Sequence, residues 1–277
     1  MEKQKPLSSE RNSPVRAAFS GITNGAARAL LKVFPDITAD AITYTGSGLV
    51  IAGSFIKGFP KEVIPYNASS WCGAGLLVIG VLCDALDGAV ARNKKRPANY
   101  NELDGKLTDV VHNRIGEMFM AGSRNIAAGF RGDTLGVLAA TISGLTAPLP
   151  SLLRAMVEKL GYFVPESGAN IFSFWGTRST RAALTIPATV IPETQILNTN
   201  IQPILDSISA AGNIASTIER YLILRKAIKG QLEVNPDEKA KEYGKVKVER
   251  LKSFTKYNTA LVLGTGMIGL ALSLRSN

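Results

Sequence analysis

The sequence has little of the residues that carry most metal and redox chemistry. It holds two cysteines, Cys72 and Cys83, and one histidine, His112, in 277 residues. That excludes a disulfide-stapled scaffold and leaves no Cys/His set for zinc. Charge is scarce too, at 19% of residues, and is missing altogether from long runs. Residues 41–56, 63–83, 134–153 and 257–274 contain no Asp, Glu, Lys, Arg or His over 16, 21, 20 and 18 positions; 182–192 and 207–218 are shorter runs of the same kind. The first 14 residues lack an apolar core and do not read as a secretory signal. With 45% hydrophobic residues, the chain is too apolar to be disordered.

A bilayer core takes about 20 mainly apolar residues per helix. Helices in the core of a soluble protein usually keep polar residues on an outer face every turn. The charge-free runs therefore predict spans near 41–57, 71–91, 109–130, 134–153, 182–199 and 203–224, with a last one at 257–274. The charge that is present is unevenly placed. With the N-terminus inside, 26 of the 32 Lys and Arg residues fall on inner segments and 4 outside, while Arg114 and Arg124 fall within a span. This is the positive-inside pattern. It explains a net charge of +10 beside a mean hydropathy of +0.11 without nucleic acid. No basic motif interleaved with aromatics appears.

The expected fold class is all-α, a polytopic membrane helical bundle. Residues 1–40 form an N-terminal cytoplasmic or interfacial segment, in which 14–34 is an amphipathic helix lying in the membrane surface or packed on the protein. Residues 41–224 form the six-helix membrane domain. A charged cytoplasmic segment follows at 225–256, with a break at Asn235-Pro236. Residues 257–277 carry an extra C-terminal span. The N-terminus and the acidic motif described next are both expected on the cytoplasmic side.

One region does not fit a plain membrane helix. The second span ends in Cys83-Asp84-Ala85-Leu86-Asp87-Gly88-Ala89-Val90-Ala91-Arg92. The third opens with Asp104-Gly105-Lys106-Leu107-Thr108-Asp109-Val110-Val111-His112-Asn113. Asp84 and Asp87 are three apart and share a helix face; Asp109 and Asn113, four apart, do the same. Carboxylates at the membrane edge are costly without a positive partner. Arg92 can serve only one of them, so a divalent metal is the economical partner, and hard oxygens suit Mg²⁺, Mn²⁺ or Ca²⁺. Gly88, Gly105 and Ala91 leave the backbone open to a ligand. Metal, open backbone and Arg92 together describe a seat for a diphosphate.

The string Asp84-x2-Asp87-Gly88-x2-Ala91-Arg92 followed by Gly105-x3-Asp109-x3-Asn113 resembles the signature of the CDP-alcohol phosphotransferases, D-x2-D-G-x2-A-R-x8-G-x3-D-x3-D. Residues 37–43, Ile-Thr-Ala-Asp-Ala-Ile-Thr, resemble that family's entry into its first helix. The resemblance implies six membrane helices with the motif on the second and third. It implies transfer of a phosphatidyl group from a CDP-linked lipid such as CDP-diacylglycerol to an alcohol, releasing CMP in phospholipid biosynthesis. Asp84, Asp87 and Asp109, with Asn113, would hold two divalent ions, Mg²⁺ or Mn²⁺. Gly88, Ala91 and Gly105 would make room for the nucleotide, and Arg92 would support the carboxylates or a phosphate. A homodimer is a further family expectation, and no nucleic-acid partner is.

Two departures from the signature stand out. Twelve residues separate Arg92 from Gly105 where the family has eight, which lengthens a loop that tolerates insertion. Asn113 stands where the family has the aspartate usually assigned as base and metal ligand. An amide coordinates through oxygen but takes no proton at neutral pH. Glu117 one turn on, His112 beside it, or Asp104 from the loop could replace it. Arg178 and Arg181, before the fifth span, would clamp a phosphorylated polyol such as inositol phosphate or glycerol phosphate, or anchor to anionic lipid. The alternatives are a non-catalytic relative that binds a nucleotide-lipid or a partner, and a transporter. The transporter is disfavoured because the acidic cluster sits at the interface and not at the midplane. Gly264-x-Gly266-x2-Gly269 imitates a dinucleotide motif, but only eight residues follow it, so close helix packing explains it better. Asn67-Ala68-Ser69 matches a glycosylation sequon at a frequency expected by chance.

Overall fold

A computed structural model of the protein describes residues 14–58, 66–94, 102–162, 184–189, 195–196, 199–232 and 236–276. The chain forms a helical membrane bundle. In order the helices are α1 (Pro14–Val33), α2 (Ala39–Gly58), α3 (Tyr66–Asn93), α4 (Glu102–Phe130), α5 (Thr134–Thr146), α6 (Leu149–Lys159), α7 (Ile201–Ile228) and α8 (Glu238–Ser276). A further helical stretch at 184–189 and a hairpin, β1 (Gln195–Ile196) with β2 (Thr199–Asn200), come before α7. Among the described residues, three stretches are long and apolar enough to cross a membrane: Trp71–Asn93, Thr134–Lys159 and Ala240–Arg275.

The local sequence explains where helices start and stop. The Thr38 hydroxyl accepts from Ala41 N–H at 3.1 Å and caps α2. Asp133 caps α5 through Gly136 N–H, and Asp237 caps α8 through Ala240 N–H. Helices α6 and α7 end in Gly161 (φ +93°) and Gly230 (φ +63°), where the backbone turns left-handed and a side chain would be strained. In both, the next amide folds back onto the helix: Tyr162 N–H to Val157 O, and Gln231 N–H to Lys226 O.

Helices α2 and α3 run antiparallel at backbone contact. A Cβ at Gly46 would fall 2.9 Å from Gly80 O, and one at Gly53 would fall 2.7 Å from Gly73 O. Two glycines seven residues apart on each helix make this seam, the small-residue packing typical of membrane helices. Helix α4 lies beside α2 in the same direction, with Gly58 against Ser123 and Val50 against Gly116. Helix α8 runs antiparallel to α5 and α6, from Lys247 on Glu158 to Ser273 on Thr134.

Helix α7 is inside out. Gln202, Asp206, Ser209, Asn213, Ser216 and Arg220 follow one another at three- and four-residue steps, and all are buried. Ile204, Ile208, Ile214 and Ile218 on the opposite face are exposed. Water would drive the reverse arrangement; a hydrocarbon surround favours this one.

The expected spans at 41–57, 71–91, 109–130 and 203–224 fall within α2, α3, α4 and α7. The others differ. The span expected at 134–153 is two helices, because Pro148 and Pro150 supply no N–H and stop α5. A continuous helix was expected over 182–199; the described part is helical only at 184–189, and 195–200 includes the hairpin. Pro187 and Pro192 lie in that stretch and each removes a helix donor. Beyond Pro236 the sequence has no proline, and α8 continues through residue 257 without a break.

Candidate functional site

The glycine seam of α2 and α3 sets the geometry of the acidic end. Thr43 on α2 meets the last turns of α3, and its hydroxyl donates to Asp87 Oδ2 at 2.6 Å. The same oxygen lies 3.1 Å from Ala39 O. Asp87 is 7% exposed, and Asp84, one turn earlier, is half-buried. Gly88 lies beneath Arg92, whose Nη1 would be 3.3 Å from a Cβ there, so a larger residue would press on the guanidinium. Ala91 is half-buried on the same helix. Helix α1 closes this end, with Ala27, Leu30 and Leu31 packed against Ile42, Ala89 and Val90. Lys94 Nζ donates to Ile37 O at 3.1 Å, and Asn93 reaches both Ala89 O and Asn24.

The second half of the motif arrives by register. Helices α2 and α4 keep an offset of 65–66 residues from Gly58–Ser123 to Val50–Gly116. Continued toward the acidic end, that offset brings the α4 backbone near residue 109 to the height of Thr43. Gly105, Asp109, His112 and Asn113 belong to this first part of α4. The side chains of 102–113 lie outside the described residues, Asp104 included. Arg178 and Arg181 lie wholly outside them.

Glu117, named above as an alternative base, is described. It forms an ion pair with Arg114, its neighbour three residues earlier, and both are largely buried. Arg114 also donates to Ser151 Oγ at 2.6 Å and to Ala147 O at 3.4 Å. The pattern of charge-free runs gave Arg114 only a place in a span, and nothing in it pointed to Ser151. Thr43 carried one signal, its position in the 37–43 stretch.

Among the described residues no three His, Cys, Asp or Glu side chains come together as a metal site. What is described fits a hard divalent ion by its donor chemistry: a buried carboxylate fixed by a hydroxyl, a second carboxylate one turn away, and a glycine beside them. The pseudo-dinucleotide motif on α8 is packing. Gly266 lies against Thr141 and Gly269 against Asn125. A second polar cluster lies deeper in the bundle. Arg124 pairs with Asp206 at 3.0 Å and donates to Thr189 Oγ1 at 3.0 Å.

Thr43→Val keeps the shape of the helix contact and removes the donor that orients Asp87. Divalent-ion affinity should fall about 10–100-fold, the usual effect of losing a hydrogen bond to a ligand. Calorimetric Mn²⁺ titration of the two proteins checks this; equal affinities would show that the hydroxyl does not matter.

No protein-family model matches the chain. Curated relatives include the phosphatidylinositol phosphate synthase of Mycobacterium marinum, 33% identical over 149 residues, which is 53% of this chain and 57% of that protein. The phosphatidylinositol phosphate synthase of Mycolicibacterium smegmatis is 27% identical over 147 residues, 53% of this chain and 60% of that one. The chain thus matches less than two thirds of the length of either relative. Among solved structures, the phosphatidylinositol phosphate synthase of Mycobacterium tuberculosis with CDP-DAG bound superposes with a TM-score of 0.55 at 22% identity, over 73% of this chain and 93% of that chain. The same enzyme in complex with manganese and citrate gives 0.56 at 22% identity, over 73% and 88%. At that identity the likeness is one of fold. These relatives are CDP-alcohol phosphotransferases, the family that the sequence resembles.

Proposed function

We propose that the protein is an integral-membrane CDP-alcohol phosphatidyltransferase that moves a phosphatidyl group from a CDP-diacylglycerol-type lipid to an alcohol. The observation that carries this reading is the acidic pair on α3, with Asp87 buried and held by Thr43, inside a chain that matches phosphatidylinositol phosphate synthases. The acceptor class that fits those relatives is a phosphorylated polyol such as inositol phosphate, with Arg178 and Arg181 as the residues that would grip its phosphate.

Asp84, Asp87 and Asp109, with the Asn113 amide oxygen, would hold Mg²⁺ or Mn²⁺. Bound there, the ions would neutralise charge on the diphosphate and on departing CMP. Gly88, Ala91 and Gly105 leave room for the nucleotide, and Arg92 lies beside Gly88 to steady a phosphate. The acceptor oxygen attacks the lipid-side phosphorus, the bond from that phosphorus to the CMP oxygen breaks, and the hydroxyl proton leaves to a base. Asn113 does not take that proton. Glu117 is already engaged by Arg114, which leaves His112 and Asp104 as the candidates. The positive-inside charge pattern supports a cytoplasmic position for the acidic end and the N-terminus. A homodimer fits the same family reading.

The test is purified, folded protein with CDP-diacylglycerol, Mn²⁺ and a panel of alcohols including inositol phosphate, glycerol phosphate and inositol, read as CMP release. Release with one acceptor class supports the proposal; none with any acceptor overturns it. Asn113 itself favours a second reading, a relative that binds the nucleotide-lipid without turnover. That reading expects Mn²⁺-dependent CDP binding and no CMP from the native protein, with turnover appearing in Asn113→Asp.

A further inference from the structure

We infer that Arg114 is a positioning residue, which fixes the motif-bearing end of α4 by tying it to the proline break between α5 and α6. This rests on the functional reading above and adds a residue that the acidic motif does not contain.

The break leaves backbone groups without their helical partners in an apolar stretch, where an unpaired one is costly. Pro148 has no N–H, so Gly144 O loses its usual donor four residues on. Asn258 of α8 supplies the replacement, donating to Gly144 O at 3.1 Å. Arg220 of α7 donates to Pro150 O at 2.6 Å. Asn213 of α7 donates to Thr146 Oγ1 at 3.3 Å. The broken turn is therefore held from two sides and is a fixed point in the bundle.

Arg114 joins α4 to that point. Its guanidinium donates to Ser151 Oγ at 2.6 Å and Ala147 O at 3.4 Å, on either side of the two prolines, while it pairs with Glu117 on its own helix. Fork geometry allows this; a lysine ammonium would not span both sides. Arg114 directly follows Asn113 and is five residues past Asp109, about 7.5 Å along the axis at helical rise. Asp109, Asn113 and Glu117 share one helix face at four-residue steps. A guanidinium held between Glu117 and the break sets the rotation and height of that face. The α2 contacts at Val50 and Gly58 act further along α4, at Gly116 and Ser123. Arg114 takes no part in the transfer itself; ligand geometry on α4 depends on it.

The test uses the full-length protein with two variants, Arg114→Lys and Ser151→Ala. Mn²⁺ binding is read by the loss of free-ion EPR signal, and CMP release is read separately. Arg114→Lys should raise the Mn²⁺ half-saturation about 10–100-fold, the range for losing support behind a ligand. Its kcat should fall while KM for the donor lipid stays within about twofold, a split expected when geometry and not substrate binding is lost. Ser151→Ala, which removes only the far end of one bond, should move the same quantities in the same direction by less, and it covers the case in which Arg114→Lys fails to fold. Mn²⁺ half-saturation within about twofold of the native value in folded variants overturns the inference, since the metal would then be insensitive to the anchor. If the native protein binds Mn²⁺ and releases no CMP, the transferase reading fails. The shift in Mn²⁺ binding then still decides the role of Arg114.

Discussion

Asp87→Asn should reduce CMP release at least about 100-fold, because an amide in place of a metal-binding carboxylate removes several kcal/mol of charge stabilisation from the reacting phosphate. The substitution is nearly isosteric, and the amide oxygen can still accept from Thr43, so the α2–α3 seam is left intact. In metal-free protein the variant should melt close to the native chain, since the amide keeps the contact with Thr43. What disappears is ligand stabilisation. A protein that binds Mn²⁺ melts later as the ion is added, by the mass-action relation, and Asp87→Asn should lose that upward shift. The pair of readouts separates a site carboxylate from a structural one. A structural Asp87 would give a variant that melts earlier at every Mn²⁺ concentration and retains the shift. Turnover within about tenfold of native would remove Asp87 from the site.

The parts of this architecture that were legible in the sequence are those dictated by long-range apolarity and by a dense local motif. The charge-free runs located α2, α3 and most of α7, and the Asp84–Asp87 pair stood out because carboxylates are rare in such runs. Hydropathy missed what depends on single backbone donors. Pro148 and Pro150 are apolar and pass unnoticed in a window average, yet they divide one expected span into α5 and α6. At the other extreme, the charged stretch before residue 257 looked like a separate segment, but charge does not break a helix, and α8 runs straight through it. Thr43 meets Asp87, and Arg114 meets Ser151, only through packing across 44 and 37 residues. No local pattern encodes such contacts. The buried face of α7 was readable in principle, since six polar residues recur at helical spacing from Gln202 to Arg220. A reading that asks only where charge is missing counts Ser209, Asn213 and Ser216 as apolar, and so misses that the stripe points inward.

That inward stripe carries the largest stability prediction. Arg124 and Asp206 are 3% and 0% exposed at the side chain and pair at 3.0 Å. Arg124 Nε also donates to Asp206 Oδ2 at 3.1 Å, and Gln202 approaches the same oxygen at 3.5 Å. Removing one member leaves the other as a buried charge held only by weaker neutral contacts, which costs about 3–5 kcal/mol. Arg124→Met should therefore destabilise the bundle by about that amount, seen as an early transition in detergent and loss of the monodisperse peak on size exclusion. Asp206→Leu should do the same, because the guanidinium would keep Thr189 but lose its counter-charge. The double variant Arg124→Met/Asp206→Leu should recover most of the loss, since neither charge is then desolvated and the replacements are apolar. This non-additivity is the measurement. If the pair only adds a favourable contact, the double variant sits no higher than the worse single one. If burial of the lone charge is the cost, it lies well above both. The second outcome would also make the pair dispensable for stability, and leave as its remaining effect the register it sets between α4, the 184–189 stretch and α7.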